Sequence, residues 1–166
     1  MQATEKSRVT SFNDVYNSFL GKITDDMYME YTKEDTFKIL KELLIAAIPW
    51  FEFPRVNLQD YDEEAEIFNV SLSKEEINIL SIYMVVEWMG YQLASVENVR
   101  MKYTGSDFKM TSQANHMAKI LSIQKDYERK GFHLQRLYKR RKVDDNGNIV
   151  STFGSIMEKS TFDGRW

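Results

Sequence analysis

The sequence predicts an all-α protein, a small helical bundle followed by a short C-terminal β-hairpin and an extended tail. Two observations favour helices. The 166 residues include only two prolines and seven glycines, the residue types that most often interrupt regular elements. Apolar side chains also recur at steps of three and four residues over several segments, most of them preceded by a serine or threonine that can cap a helix. We therefore divide the chain into a helical bundle domain, residues 1–142, and a hairpin with a C-terminal docking tail, residues 143–166.

Two helices are predicted in the first third of the chain. The first begins at Ser11, which can cap free backbone amides, and ends at Gly21. The second begins after Thr32 and ends or bends at Ile48, because Pro49 disfavours helical geometry in the residue before it. The predicted buried face of the second helix consists of Phe37, Leu40, Leu43, Leu44, Ala47 and Ile48.

A third helix is predicted from a capping box, Ser73–Glu76, to about Lys102. It is apolar on nearly every side, so it must be buried on more than one side. Two interpretations remain open: a central core helix, or a helix with one face covered by another subunit. The preceding residues, 55–72, are predicted to form a loop with a brief extended segment from Ile67 to Leu72.

A fourth helix is predicted from Thr111 or Ser112 to about Lys142, interrupted by Gly131. That glycine marks either a close helix crossing or a bend, since it is unfavourable in a helix by about 1 kcal/mol relative to alanine. The dipeptide Asn146-Gly147 then predicts a hairpin turn. The apolar face of this helix consists of Met117, Ile120, Leu121, Ile123, Tyr127, Leu134, Leu137 and Tyr138.

The sequence contains no recognisable catalytic or metal-binding motif. There is no cysteine, which excludes disulfides, thiolate zinc sites, iron–sulfur clusters and cysteine nucleophiles. The two histidines, His116 and His133, belong to no ligand motif, and no phosphate-binding glycine motif is present. No apolar run approaches the roughly 20 residues that span a bilayer, and the first residues lack the apolar core of a signal peptide. We expect no enzymatic activity and no cofactor.

Charge is segregated along the chain into two segments that we name the basic arm, residues 125–142, and the acidic loop, residues 52–66. Three interpretations of the basic arm remain open: contact with the acidic loop of another copy, contact with nucleic-acid phosphates, or a favourable interaction with the helix dipole. The basic arm contains Lys125, Arg129, Lys130, Arg136, Lys139, Arg140, Arg141 and Lys142. The acidic loop contains Glu52, Asp60, Asp62, Glu63, Glu64 and Glu66, with Arg55 as its one basic residue.

Several segments together resemble the head–tail connector proteins of tailed bacteriophages, which are also called adaptor or head-completion proteins. The resemblance is one of overall pattern and covers about residues 11–142. The segments that carry it are Ser11–Tyr16, Ile48–Pro54, Glu75–Leu80, Val86–Trp88 and Ser106–Lys119.

The resemblance implies a structural virion protein of the phage neck, made in the host cytoplasm and located at the capsid portal vertex. It implies a homo-oligomeric ring, expected to be a dodecamer, which binds the portal protein on one side and a distal neck or tail protein on the other. DNA would pass through the lumen without sequence-specific binding. Residues 151–166 would dock onto the portal through Phe153, Ile156, Met157, Phe162 and Trp166.

Contacts between subunits are expected to join basic-arm residues of one copy to acidic-loop residues of the next. The alternative function is a nucleic-acid-binding helical module that uses the basic arm. The basic residues expected at the subunit contacts are Arg129, Lys130, Arg136, Lys139, Arg140 and Arg141. The acidic residues expected there are Asp60, Asp62, Glu63, Glu64 and Glu66.

Overall fold

The computed structural model describes residues 9–23, 32–102, 110–143 and 149–151. Most of these residues belong to four α-helices: α1 (Phe12–Leu20), α2 (Lys33–Ala47), α3 (Lys74–Lys102) and α4 (Met110–Arg140). A 3₁₀ turn at Ile48–Trp50 follows α2. The same ranges also contain five short strands: β1 (Thr10–Ser11), β2 (Tyr61–Asp62), β3 (Ile67–Phe68), β4 (Arg141–Val143) and β5 (Ile149–Ser151).

The predicted helix starts at Ser11, Thr32 and Ser73 are confirmed. The Ser11 hydroxyl accepts a hydrogen bond from the Asn13 amide at 3.2 Å, and the Thr32 hydroxyl accepts one from the Asp35 amide at 3.2 Å. Ser73 forms the full capping box with Glu76.

In that box the Glu76 amide donates to the Ser73 hydroxyl at 3.3 Å, and the Ser73 amide donates to Glu76 Oε2 at 2.7 Å. Each bond satisfies an amide that the first helical turn leaves without a partner. The end of α2 at Ala47, followed by the 3₁₀ turn that contains Pro49, is also as predicted.

The fold is mostly helical but not purely all-α. Strands β1, β3 and β2 form a small antiparallel sheet in that order, in which Phe68 pairs with both Thr10 and Tyr61. The brief extended segment predicted at Ile67 is confirmed as β3, whereas β2, which lies within the predicted loop of residues 55–72, and the pairing with β1 were not predicted. Strands of two residues are too short to show the alternation of apolar and polar residues by which a strand is recognised in a sequence.

Helix α3 lies at the centre of the core, against α1, α2 and α4. Every residue from Ile79 to Val86 is buried, and so is Trp88. The other helices of the same chain cover this segment, so the central-core interpretation accounts for its apolar surface without a second subunit. Two residues assigned to buried faces are exposed instead: Phe37 on α2 is 47% exposed and Leu121 on α4 is 42% exposed.

The crossing of α3 and α4 is close at Gly131. A Cβ atom at this position would lie 2.7 Å from Cζ and 2.9 Å from the hydroxyl oxygen of Tyr83. Only a residue without a side chain allows α4 to approach the Tyr83 ring at this distance. Of the two interpretations of Gly131, the close helix crossing is confirmed.

Strands β4 and β5 pair antiparallel beyond the end of α4, with Arg141 opposite Ser151 and Val143 opposite Ile149. The predicted turn at Asn146-Gly147 lies outside the described residues. The same holds for the anchor residues assigned to the tail: Phe153, Ile156, Met157, Phe162 and Trp166.

Candidate interaction surface

The basic arm lies on the C-terminal half of α4 and on β4, and all eight of its basic residues are exposed. Some of them have partners within the chain. Arg129 pairs with Asp126, and Arg141 pairs with Glu75 at 3.2 Å. The first pair is largely solvated and the second is partly solvated, so each contributes little to stability. The arm therefore presents a positively charged surface to solvent along most of its length.

Gln135 fixes the basic arm to the segment that follows α2. It is buried, and its amide nitrogen donates to the Trp50 carbonyl at 2.8 Å and to the Tyr83 hydroxyl at 2.5 Å. Its amide oxygen accepts a hydrogen bond from the Glu52 amide at 2.9 Å. Burial raises the pKa of Tyr83, and the hydrogen bond with Gln135 partly opposes that rise. One buried amide side chain thus sets the position of α4 against α3 and the start of the acidic loop.

Tyr138 makes a second connection between the same elements. Its hydroxyl accepts a hydrogen bond from the Arg55 amide at 2.9 Å and donates one to Glu76. The Arg55 guanidinium lies over the Tyr138 ring, 3.9 Å from its centroid, and donates to the carbonyls of Tyr138 and Arg141. Burial, followed by the hydrogen bond to Glu76, raises the pKa of Tyr138. Arg55, the one basic residue of the acidic loop, therefore holds the C-terminal end of α4 in place through these contacts.

Tyr16 contrasts with Tyr138, because its hydroxyl is buried without a hydrogen-bond partner among the described residues. Burial, followed by the negative charge of Glu66, raises the pKa of Tyr16 as well. An unpaired buried hydroxyl costs about 1–3 kcal/mol relative to an apolar group of the same shape. Its removal should therefore not weaken the fold.

We expect Tyr16→Phe to leave the free energy of unfolding unchanged or raise it by up to about 1 kcal/mol. The matched variant Tyr138→Phe should lower it by about 2–3 kcal/mol, because Glu76 and the Arg55 amide both lose a partner. Urea unfolding followed by circular dichroism measures both differences. Equal destabilisation by the two substitutions would contradict the assignment of the unpaired hydroxyl to Tyr16.

Three exposed aromatic side chains lie beside the basic arm: Trp50 is 42% exposed, Phe53 57% and Phe132 52%. A positively charged side chain lies over the rings of two of them. Lys139 Nζ lies 4.1 Å from the centroid of the Phe53 ring, and the Arg136 guanidinium lies 5.9 Å from that of Phe132. Trp50 stacks on Tyr83 and donates from its indole nitrogen to Glu87 at 2.5 Å. We name this the aromatic–basic surface: Trp50, Phe53, Phe132, Arg136 and Lys139.

Such a surface is chemically suited to contact with another protein. Exposed aromatic residues and arginine are enriched in protein interfaces and often supply most of the binding energy. The adjacent cations favour a partner with negative charge. The basic residues could be predicted from the sequence, and so could the position of Phe132 one helical turn from Arg136. The position of Phe53 beside Lys139 could not, because it depends on how the segment after α2 folds against α4.

The C-terminal part of the acidic loop includes β2 and the turn that joins it to β3, and hydrogen bonds of its aspartates hold this turn. The Asp60 carboxylate accepts a hydrogen bond from the Asn69 side chain at 2.8 Å. Asp62 Oδ1 accepts two, from the amides of Glu64 and Ala65, each at 2.9 Å. Glu66 adopts a positive φ of 53° at the end of the turn. Asp60 and Asp62 therefore shape the loop, while the exposed side chains of Glu63 and Glu64 give it negative surface charge.

The charged residues assigned to subunit contacts are thus at the surface, apart from the partly covered Glu66. No ion pair joins the acidic loop to the basic arm within the ranges that the structure describes. Within the same ranges, no group of three or more histidine and carboxylate side chains could hold a metal ion. None of the helices described there is long and apolar enough to span a bilayer. No protein-family model, curated protein or solved structure matches this chain.

Proposed function

We propose that this chain is a structural protein of a bacteriophage neck, in which copies form a ring between the portal vertex and the tail or the next neck component. The proposal combines the resemblance with a helical bundle at residues 1–142 and a hairpin and docking tail at residues 143–166. The ring would be a dodecamer with genomic DNA passing through its lumen. The protein would have no catalytic role.

The observation that supports the proposal most directly is the exposure of two oppositely charged surfaces that do not pair with each other in the described part of the chain. A basic surface on one copy can then meet an acidic surface on the next. Repetition of such a heterologous contact gives a closed ring when the rotation between neighbours permits. The exposed aromatic residues beside the basic arm add apolar area to this contact, which charge alone would leave weak.

The tail supplies the proposed contact with the portal. Its apolar side chains are spaced along an otherwise polar segment, a composition typical of a peptide that orders on binding a partner. Phe153, Phe162 and Trp166 would be the main anchors, with Ile156 and Met157 beside them.

The proposal is tested by imaging the purified chain together with the portal protein of the phage that would encode it. We expect a ring on one face of the portal, and we expect deletion of residues 151–166 to abolish portal binding while circular dichroism still reports the same helical content. The absence of any ring on the portal would contradict the neck assignment. A tail deletion that binds the portal normally would contradict the docking role of the tail alone.

A second function, a nucleic-acid-binding helical module, is supported by the exposure of all eight basic residues of the arm. Contacts with phosphates would release counterions, so binding to duplex DNA would weaken steeply as salt rises. Titration of a duplex of arbitrary sequence at several salt concentrations separates the two functions, because a neck protein should bind free duplex weakly.

A further inference from the structure

A concave pocket with a volume of about 430 Å³ lies away from the aromatic–basic surface. Its walls come from the residues just after α1, from the middle of α3 and from the N-terminal half of α4. This volume falls within the range of small-molecule sites in proteins, roughly 300–1,000 Å³. The pocket is therefore large enough for a small organic ligand.

The lining of the pocket combines apolar and nitrogen-containing side chains. Ile23, Met89 and Ile123 are its partly exposed apolar residues, and Lys22, Lys119 and His116 supply the nitrogen-containing side chains. No aspartate or glutamate is among the residues described as lining it. A ligand that matches both kinds of side chain would have an apolar body and a negative charge.

The environment of Lys22 gives an independent reason for a negative ligand. Its ammonium donates to the carbonyl and hydroxyl oxygens of Ser18, at 3.1 and 3.0 Å, and no carboxylate among the described residues pairs with it. Burial lowers the pKa of Lys22, and the nearby positive charge of Lys130 lowers it further. The charged form of Lys22 is thus disfavoured where it stands, and an anion in the pocket would stabilise it.

We infer that this pocket binds a small organic anion with an apolar chain, with the chain against Ile23, Met89 and Ile123 and the anionic group at Lys22 and Lys119. The inference does not depend on the proposed neck function, because neither lysine belongs to the basic arm and none of the charged residues expected at the subunit contacts lines the pocket.

The test is isothermal titration calorimetry of the full chain with three probes: octanoate, octylammonium and acetate. Octanoate carries both the chain and the negative charge, octylammonium has the chain with the opposite charge, and acetate has the charge with almost no chain. We expect one octanoate to bind per chain, with octylammonium and acetate each binding at least about tenfold more weakly.

Three variants locate the site. Lys22→Gln and Lys119→Gln should each weaken octanoate binding about fivefold, because each removes one partly solvated charge interaction. The matched control is Lys125→Gln, an exposed lysine on the same helix outside the pocket lining, and it should bind octanoate as the unaltered chain does. Circular dichroism checks that all three variants remain folded.

Three results would overturn the inference. The first is no saturable heat with octanoate. The second is equal affinity for octanoate and octylammonium, which would indicate apolar binding without charge recognition. The third is unchanged octanoate affinity in both Lys22→Gln and Lys119→Gln, which would place the anion elsewhere on the chain.

Discussion

Gly131→Ala is expected to lower the free energy of unfolding by about 2–3 kcal/mol, although alanine is the better helix former by about 1 kcal/mol. The added Cβ would lie 2.7 Å from Tyr83 Cζ. The Tyr83 ring cannot easily move away, because it stacks on Trp50 and its hydroxyl is bound by Gln135. The substitution therefore forces α3 and α4 apart or breaks these contacts.

The control is Gly90→Ala on α3, where the added Cβ would meet the Gln124 amide nitrogen at 3.4 Å and no closer atom. A long side-chain end can give way at that distance, so the better helix propensity of alanine should dominate. We expect Gly90→Ala to raise the free energy of unfolding by about 0.5–1 kcal/mol. Urea unfolding of the two variants gives opposite signs if the crossing is as close as the structure places it.

A double-mutant cycle tests whether contact with the Tyr83 side chain causes the loss of stability in Gly131→Ala. Tyr83→Leu shortens the side chain that faces Gly131, so Gly131→Ala should cost much less in that background than in the unaltered chain. A coupling free energy of about 1 kcal/mol or more between the two substitutions is expected for residues in direct contact. Additive effects would mean that the cost of Gly131→Ala arises elsewhere.

The helix boundaries could be predicted from the sequence because local chemistry determines them. Ser73 and Glu76 satisfy each other's backbone amides whatever the remainder of the chain does, and Pro49 restricts its neighbour through its own ring. Which apolar residues are buried depends instead on neighbours distant in sequence. Phe37 and Leu121 both follow the helical spacing of a buried face, yet no part of the described chain covers them fully.

The charged segments of the candidate surface could be predicted from the sequence, but the contacts that position them could not. The distribution of charged residues along the sequence identified the basic arm and the acidic loop. The buried role of Gln135 could not be anticipated, since a glutamine within a helix ordinarily faces solvent. Tyr138 was assigned to an apolar face, but its hydroxyl bond to Glu76 joins residues far apart in sequence. The three-stranded sheet was missed for a related reason, because Phe68 pairs with both Thr10 and Tyr61 through contacts that follow from tertiary folding.

The double substitution Arg136→Glu and Lys139→Glu is expected to abolish assembly of the chain into rings while leaving its fold intact. Both side chains are exposed and contact the exposed rings of Phe132 and Phe53. They are better targets than Arg141, which pairs with Glu75 and whose carbonyl accepts a hydrogen bond from Arg55. Reversal of two charges at a complementary interface should weaken association at least about a hundredfold.

The control for this experiment is Lys125→Glu, which reverses an exposed charge on the same helix outside the residues expected at the subunit contact. Native mass spectrometry, with portal protein added where the chain alone stays monomeric, measures the assembled fraction, and thermal unfolding reports the stability of each variant. We expect Lys125→Glu to assemble normally. If the double variant also assembles normally, the basic arm is not the subunit contact. That result would favour the second function, a nucleic-acid-binding module.

A charge-compensation experiment tests whether the acidic loop is the surface that the basic arm of the next copy contacts. Because Glu63 and Glu64 are exposed in the acidic loop, a chain with Glu63→Lys and Glu64→Lys should assemble poorly alone. When it is mixed with the Arg136→Glu and Lys139→Glu chain, every contact between unlike chains again joins opposite charges, because the unaltered arm meets the unaltered loop and the reversed arm meets the reversed loop. A contact that joins arm to loop therefore predicts closed rings in which the two chains alternate, although neither chain assembles alone. No association in the mixture would exclude the pairing of arm with loop.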